Sequence, residues 1–155
     1  QQAPLIDPEP VDLGNIADYA WEYVDTGAAT FERDDLPVVS GDSGRLLRLF
    51  ENLIRNAVEH GSTPEKPVTI CIGSLTDGAG FFFEDDGCGI PPESRQKVFD
   101  HGYTTNRDGT GFGLPIVRDI ATAHGWKVEI DESSSGGARF NFTRVQDHNS
   151  KETDV

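Results

Sequence analysis

The sequence predicts a two-layer α/β sandwich, in which helices cover one face of a mixed, mostly antiparallel sheet. Three observations predict it. Helical and strand-like segments intermingle without a strict βαβ alternation. Residues 45–60, RLLRLFENLIRNAVEH, carry a strong helical period. The last apolar segments, Trp126–Asp131 and Ala138–Thr143, read as a closing hairpin.

In chain order, residues 1–11 are rich in proline and polar groups and read as a linker or edge segment. The ordered domain is expected over residues 12–145, followed by a polar tail, 146–155. Asp12 is placed to cap a helix running to about Tyr23, with Leu13, Ile16, Ala20 and Val24 on one side. Ala29–Arg33 and Leu36–Val39 read as short strands. Asp42 or Ser43 then caps the amphipathic helix, which ends near His60-Gly61. Leu46, Leu49, Phe50, Leu53, Ile54 and Ala57 recur at the spacing that lines one helical face. Val68–Leu75 and Gly80–Asp85 read as strands joined by the turn Thr76-Asp77-Gly78. Pro91–Phe99 is expected as a short helix with proline in its first turn. His101–Thr110 reads as a glycine-containing loop. Gly111 or Gly113 opens a helix to about His124, which Gly125 closes.

Composition narrows the function. The 155 residues suffice for one domain with a real core. No apolar run approaches the roughly 20 residues of a membrane span, and the N-terminal residues lack a secretory pattern. Cys71 and Cys88 form neither a disulfide framework nor a zinc spacing, which fits a reducing cytoplasm. The 27 acidic and 13 basic residues leave a net charge of −14, with no basic stripe to hold DNA or RNA. Low lysine and high aspartate resemble the proteins of halophilic archaea. At about 1 M salt the Debye length is only about 3 Å, so crowded surface carboxylates repel each other little.

Three constellations carry chemistry. Asn52 and Asn56 lie one turn apart on the amphipathic helix, with His60 continuing their line. Amide oxygens so placed can ligand a hard cation such as Mg²⁺ that keeps waters and bridges phosphates; they can equally be two asparagines at a helix surface. The second is Asp85-Asp86-Gly87-Cys88-Gly89-Ile90, at the end of the apolar strand. A carboxylate there can accept a hydrogen bond from an exocyclic amine such as that of adenine, while the glycines let backbone turn and a flat ring approach. A plain Asp-Gly turn would look the same. The third, Gly109-Thr110-Gly111-Phe112-Gly113-Leu114, runs into a helix and can present backbone N–H groups to phosphate. It could also be a hinge. It lacks the βαβ setting of a dinucleotide site and the Gly-Lys-Ser/Thr of a Walker loop.

Their order and spacing resemble the nucleotide-binding boxes of histidine kinase catalytic domains, within the wider superfamily of gyrase, heat-shock chaperone and mismatch-repair ATPases. Asn52…Asn56 resembles the N box, Asp85-x-Gly87-x-Gly89 the first glycine box, Phe99 the F box, and Gly109-x-Gly111-x-Gly113-Leu114 the second glycine box. The likeness covers roughly residues 12–143. It implies an ATP-binding fold in which Asn56 ligands Mg²⁺ with Asn52 beside it, and Asp85 takes the adenine amine. Gly87, Gly89 and Ile90 would shape the base pocket, with His60 near the nucleotide. Residues 91–110 would form a lid anchored by Phe99. Tyr103-Thr104-Thr105 resembles a lid motif, although the lysine often found next is Asn106; Arg107 is the alternative charge. Gly109, Thr110, Gly111, Phe112, Gly113 and Leu114 would hold the phosphates. Ala138 stands where many members carry a hydroxyl.

The superfamily's hydrolases carry a glutamate four positions before the metal asparagine, to activate water. Here that position is Asn52; Glu51 is rotated from it by about 100°. The resemblance therefore implies phosphoryl transfer to a protein group over hydrolysis. None of His60, His101, His124 and His148 is followed by the acidic residue of a phosphoacceptor helix. The acceptor, on a dimerisation and phosphoacceptor domain, is expected outside this sequence, with a response regulator downstream. The domain itself is expected in the cytoplasm without membrane contact, even where its parent is anchored. The alternatives are a protein serine kinase of the anti-sigma type and a degenerate nucleotide fold kept as an interaction module.

Overall fold

The computed structural model describes residues 8–61, 65–75, 80–99 and 114–145. Seven strands and three helices are present among them: β1 Glu9–Asp12, α1 Leu13–Tyr23, β2 Thr30–Arg33, β3 Val38–Gly41, α2 Ser43–Gly61, β4 Thr69–Ser74, β5 Phe81–Asp85, α3 Leu114–Ala123, β6 Lys127–Glu132 and β7 Ala138–Thr143. Five strands form one sheet in the order β2-β4-β5-β7-β6. β2 runs parallel to β4, and the other neighbours are antiparallel.

The core follows from two periodicities. Along the strands every second side chain turns inward, so Ile70, Ile72, Phe81, Phe83, Phe140 and Phe142 are fully buried. Along α2 the 3.6-residue period brings Leu46, Leu49, Phe50, Leu53 and Ile54 against them, all likewise buried. Phe81 is the hub. Its ring stacks on Phe142 at 4.6 Å, the residue it faces in the β5–β7 register, and meets Phe50 at 5.8 Å and Trp126 at 5.7 Å. Phe81→Ala would empty the centre and cost about 3–5 kcal/mol.

The expected caps are present. The Asn15 N–H donates to the Asp12 carboxylate (3.2 Å), opening α1. The Arg45 N–H donates to Asp42 (3.1 Å), so Asp42 rather than Ser43 starts α2. Gly125 follows α3 with φ of +79°, as a helix-ending glycine does.

Three expectations need correcting. Residues 9–11, expected within a linker or edge segment, form β1 together with the helix cap Asp12, and β1 pairs antiparallel with β3 in a separate two-stranded ribbon. The second short strand lies at Val38–Gly41 rather than at 36–39, because Pro37 has no N–H to give a ladder. Pro91–Phe99 is no single helix but two 3₁₀ turns, Pro92–Ser94 and Lys97–Phe99. Pro91 precedes a second proline and is held extended (φ −58°, ψ 145°), so only a short turn starts after it. The turn expected at 76–78, the loop 101–110, the glycines 109–113 and the tail 146–155 lie outside the described residues.

Candidate nucleotide site

Among the described residues three polar side chains are buried: Asn56, Asp85 and Ser133. They come from α2, from the end of β5, and from the turn between β6 and β7. All three belong to one place. Asn56 and Asp85 line a narrow cleft with His60, Gly61, Gly89, Ile90 and Ala138, and Ser133 bonds to the backbone of Asp85. Burying a polar group costs free energy unless it is paired, so polar side chains gathered in one cleft mark a site.

The two asparagines of α2 differ. Asn52 is half-buried, and its side-chain amide donates to the Arg48 carbonyl (2.8 Å) within its own helix. Asn56 is only 6% exposed, and its Oδ1 is buried without a hydrogen-bond partner. An orphaned amide oxygen facing a cleft suits a hard cation that brings its remaining ligands as water and phosphate. Among the described residues no group of three or more His, Cys, Asp or Glu could cage a metal. Among the described residues, Asn56 is the side chain of this cleft left to hold a metal.

Asp85 ends β5, where the pairing of β5 with β7 has already stopped at Glu84–Arg139. One carboxylate oxygen, Oδ1, accepts from the Gly87 N–H (2.9 Å) and the Ala138 N–H (3.3 Å). Burial raises its pKa from the ordinary carboxylate value; the Gly87 and Ala138 amides oppose the rise, and the negative charges of Asp86 and Glu84 add to it. The neighbouring Asp86 pins the start of β4, accepting from the Thr69 N–H at 2.7 Å.

The backbone of this loop is pressed against other backbone. A Cβ at Gly87 would lie 2.5 Å from the Gly61 Cα, so only glycine fits where the loop passes the end of α2. Gly89 takes φ of +78°, a left-handed turn that returns the chain to the buried Ile90. Phe99 is buried, with the Arg118 guanidinium 5.9 Å from its ring centre. Leu114 opens α3 with its side chain in the core. A wider recess, lined by Arg95, Phe99, Arg118, Lys127 and Asn141 among others, lies apart from the buried polar trio.

The structure thus brings Asn56, His60, Asp85, Gly89 and Ile90 together at one cleft and sets Gly87 at its edge. Asn52, tied to its own helix, does not line the cleft, and neither does Phe99. The expected lid and phosphate residues Tyr103, Thr104, Thr105, Arg107, Gly109, Thr110, Gly111, Phe112 and Gly113 lie outside the described residues. Sequence reasoning missed Gly61, Ser133 and Gly137. The signal available was Ser133-Ser134-Ser135-Gly136-Gly137, between the two strands of the closing hairpin.

Comparison with known proteins gives the chain its relatives. Residues 41–148 match the family described as Histidine kinase-, DNA gyrase B-, and HSP90-like ATPase. The Adaptive-response sensory kinase SasA of Trichormus variabilis is 37% identical over 116 residues, covering 70% of this chain and 28% of the relative. The Signal transduction histidine-protein kinase/phosphatase MprB of Mycolicibacterium smegmatis is 34% identical over 145 residues, covering 88% of this chain and 29% of the relative. The chain therefore spans less than a third of either protein. Among solved structures, a mycobacterial sensor histidine kinase MprB superposes with a TM-score of 0.76 at 26% identity, covering 90% of this chain and 99% of that one. The ATP binding domain of PrrB from Mycobacterium tuberculosis gives 0.67 at 26% identity, covering 92% and 98%.

Proposed function

The chain belongs to the family of histidine kinase-, DNA gyrase B- and HSP90-like ATPases, as an ATP-binding catalytic domain of the sensor histidine kinase kind, and from that premise we propose how it works. In a two-component system it would transfer the γ-phosphoryl group of ATP to a histidine on a phosphoacceptor and dimerisation domain. The bond from the γ-phosphorus to the bridging oxygen breaks, a phosphorus–nitrogen bond forms, and ADP leaves. A response regulator would then receive the phosphoryl group. The cytoplasm, where ATP is held, is the compartment this requires; among the described residues no helix is long and apolar enough to cross a membrane.

The observation that carries the reading is the cleft shared by an orphaned Asn56 Oδ1 and a buried Asp85 carboxylate. Asp85 would accept the adenine amine through its second oxygen, since Oδ1 already holds two backbone N–H groups. Gly87, Gly89 and Ile90 would form the wall against the base, with His60 beside the sugar and phosphates. Asn56 would hold Mg²⁺, with Asn52 next along the helix. Mg²⁺ supplies charge neutralisation on the phosphates when bound. The family's hydrolytic glutamate position is taken by Asn52, whose amide is tied to Arg48 and cannot act as a base.

Calorimetry of the chain with ATP and Mg²⁺ in high salt tests the reading. Binding is expected, with turnover well below about 1 s⁻¹. No binding, or steady hydrolysis at or above that rate, would overturn it.

A further inference from the structure

The third buried polar side chain has no part in the roles above. Ser133 is 4% exposed and ends the β6 side of the hairpin turn. Its hydroxyl donates to the Asp85 carbonyl (2.8 Å), 48 residues away in sequence, and accepts from the Gly137 N–H (2.8 Å). The turn is closed further by the Ser133 N–H to the Gly137 carbonyl (2.8 Å) and the Gly136 N–H to the Ser133 carbonyl (3.0 Å). Gly137 lies so close to Asp85 that a Cβ there would overlap both its carbonyl and its carboxylate. The next residue, Ala138, is the one whose N–H holds Asp85 Oδ1.

We propose that Ser133 is a positioning residue for nucleobase selection, the hydroxyl that locks the 133–138 turn onto Asp85 so that one carboxylate oxygen is held by Ala138 and Gly87 and the other is kept for an exocyclic amine. The inference rests on the adenine role given to Asp85 above. A hydroxyl that only stabilised a hairpin would bond within the turn. This one also spans to the strand that carries the recognition carboxylate, past the point where the β5–β7 ladder has ended. With the hydroxyl removed, the Asp85 carbonyl and the Gly137 N–H are left buried without this partner, and the turn is free to draw Ala138 away from Oδ1. The carboxylate then loses its fixed rotation. Discrimination suffers first, because it depends on where the unused oxygen points.

The test is the affinity of the chain for ATP and for inosine triphosphate, both with saturating Mg²⁺. Inosine carries a carbonyl oxygen where adenine has the amine, and the two ligands share their phosphates and sugar. The unaltered chain is expected to prefer ATP by about tenfold or more, as a site built around a hydrogen bond does. Ser133→Ala should cut that preference by about fivefold through weaker ATP binding, with the inosine affinity within about twofold. Ser133→Thr, which keeps the hydroxyl, should retain the preference. Parallel loss of both affinities in Ser133→Ala, or an unchanged ratio, would overturn the proposal. If Ser133→Ala does not melt cooperatively, the ratio is read from Gly137→Ala, which leaves the hydroxyl but drives a methyl into Asp85, and the same ratio decides. Absence of any preference in the unaltered chain would sink the adenine reading of Asp85, and this inference with it. A preference that survives in Ser133→Ala would sink this inference alone.

Discussion

The two ends of α2 are built to opposite rules. At the N-terminal end the polar groups around Asp42 are matched. The Asp42 carboxylate caps the Arg45 N–H (3.1 Å), and its own N–H donates to His124 Nε2 (3.1 Å). His124 Nδ1 lies 2.8 Å from the Ile120 carbonyl. Because Nε2 must accept, Nδ1 carries the proton and the imidazole is neutral. One ring thereby ties the start of α2 to the last turn of α3. At the C-terminal end, four turns on, Asn56 Oδ1 has no partner and Asp85 has used one oxygen for its backbone contacts. The closed end contributes stability; the open end leaves Asn56 Oδ1 unpaired, which is where the proposed reading puts the ligand. Substitutions at the two ends should therefore separate binding from folding.

The largest expected effect is at the open end. Asp85→Asn should place an amide donor where the adenine amine needs an acceptor, at a cost of about 1–3 kcal/mol, or roughly 5- to 150-fold in ATP affinity. Asn56→Ala should weaken Mg²⁺-dependent ATP binding by about tenfold or more and abolish transfer in the whole protein. Its melting point should move little, because the lost side chain leaves behind no partner for Oδ1. Calorimetry and thermal melts on the same preparations check both; wild-type affinity in both variants would end the site assignment.

His124→Ala should do the reverse. Losing a ring packed 4.9 Å from Trp126 together with two hydrogen bonds should cost about 2–4 kcal/mol of stability. ATP affinity should stay within about twofold once the protein is folded. A large affinity loss with an unchanged melt would erase the contrast between the two ends.

Acid should reproduce part of that loss. Burial holds His124 below the ordinary histidine range; the Ile120 carbonyl and Asp42 favour the proton, and Arg45 opposes it. The unfolded chain therefore binds a proton more readily than the folded one. The contribution is intact above about pH 6.5, the unfolded value, and is lost as the pH falls below it toward the depressed folded value. Melting the unaltered chain and His124→Ala between about pH 7 and 5 should show a steeper decline in the former. Equal slopes would remove His124 as the cause.

The smallest effect should come from salt, which acts on both ends alike. A net charge of −14 repels both itself and ATP over long range. Raising salt from about 0.1 M to about 1 M should lift the melting temperature and the ATP affinity modestly, with Mg²⁺ saturating. A flat or falling melt would remove the resemblance to halophile proteins without touching the kinase reading.

Much of the fold was legible because its signals are local. The stripe from Leu46 to Ala57 repeats at the helical period, and each of its residues is buried. Asp85 and the glycines after it announced themselves as a strand end and a tight turn. The β1–β3 ribbon was not legible, since nothing near Glu9 names Gly41 as its partner. Asn52 and Asn56 look equivalent in sequence. Four residues turn a helix by about 400°, so the second is rotated about 40° from the first, and it is the second that enters the cleft. Ser133 was invisible for a different reason: its partner is 48 residues away, and serine before glycine reads as any turn.

The meeting of Gly61 and Gly87 carries a consequence for how this pocket can diverge. Along that seam main chain abuts main chain, so there is no side chain to shorten, and none can be added at Gly87 without parting α2 from the loop. A lineage drifting toward another nucleobase could not enlarge the chamber from that side. Among the described residues of the cleft, its freedom lies at His60, Ile90, Ala138 and the rotation of Asp85. Selection for a new ligand would have to be written there, while the glycine seam stayed silent in the mutational record.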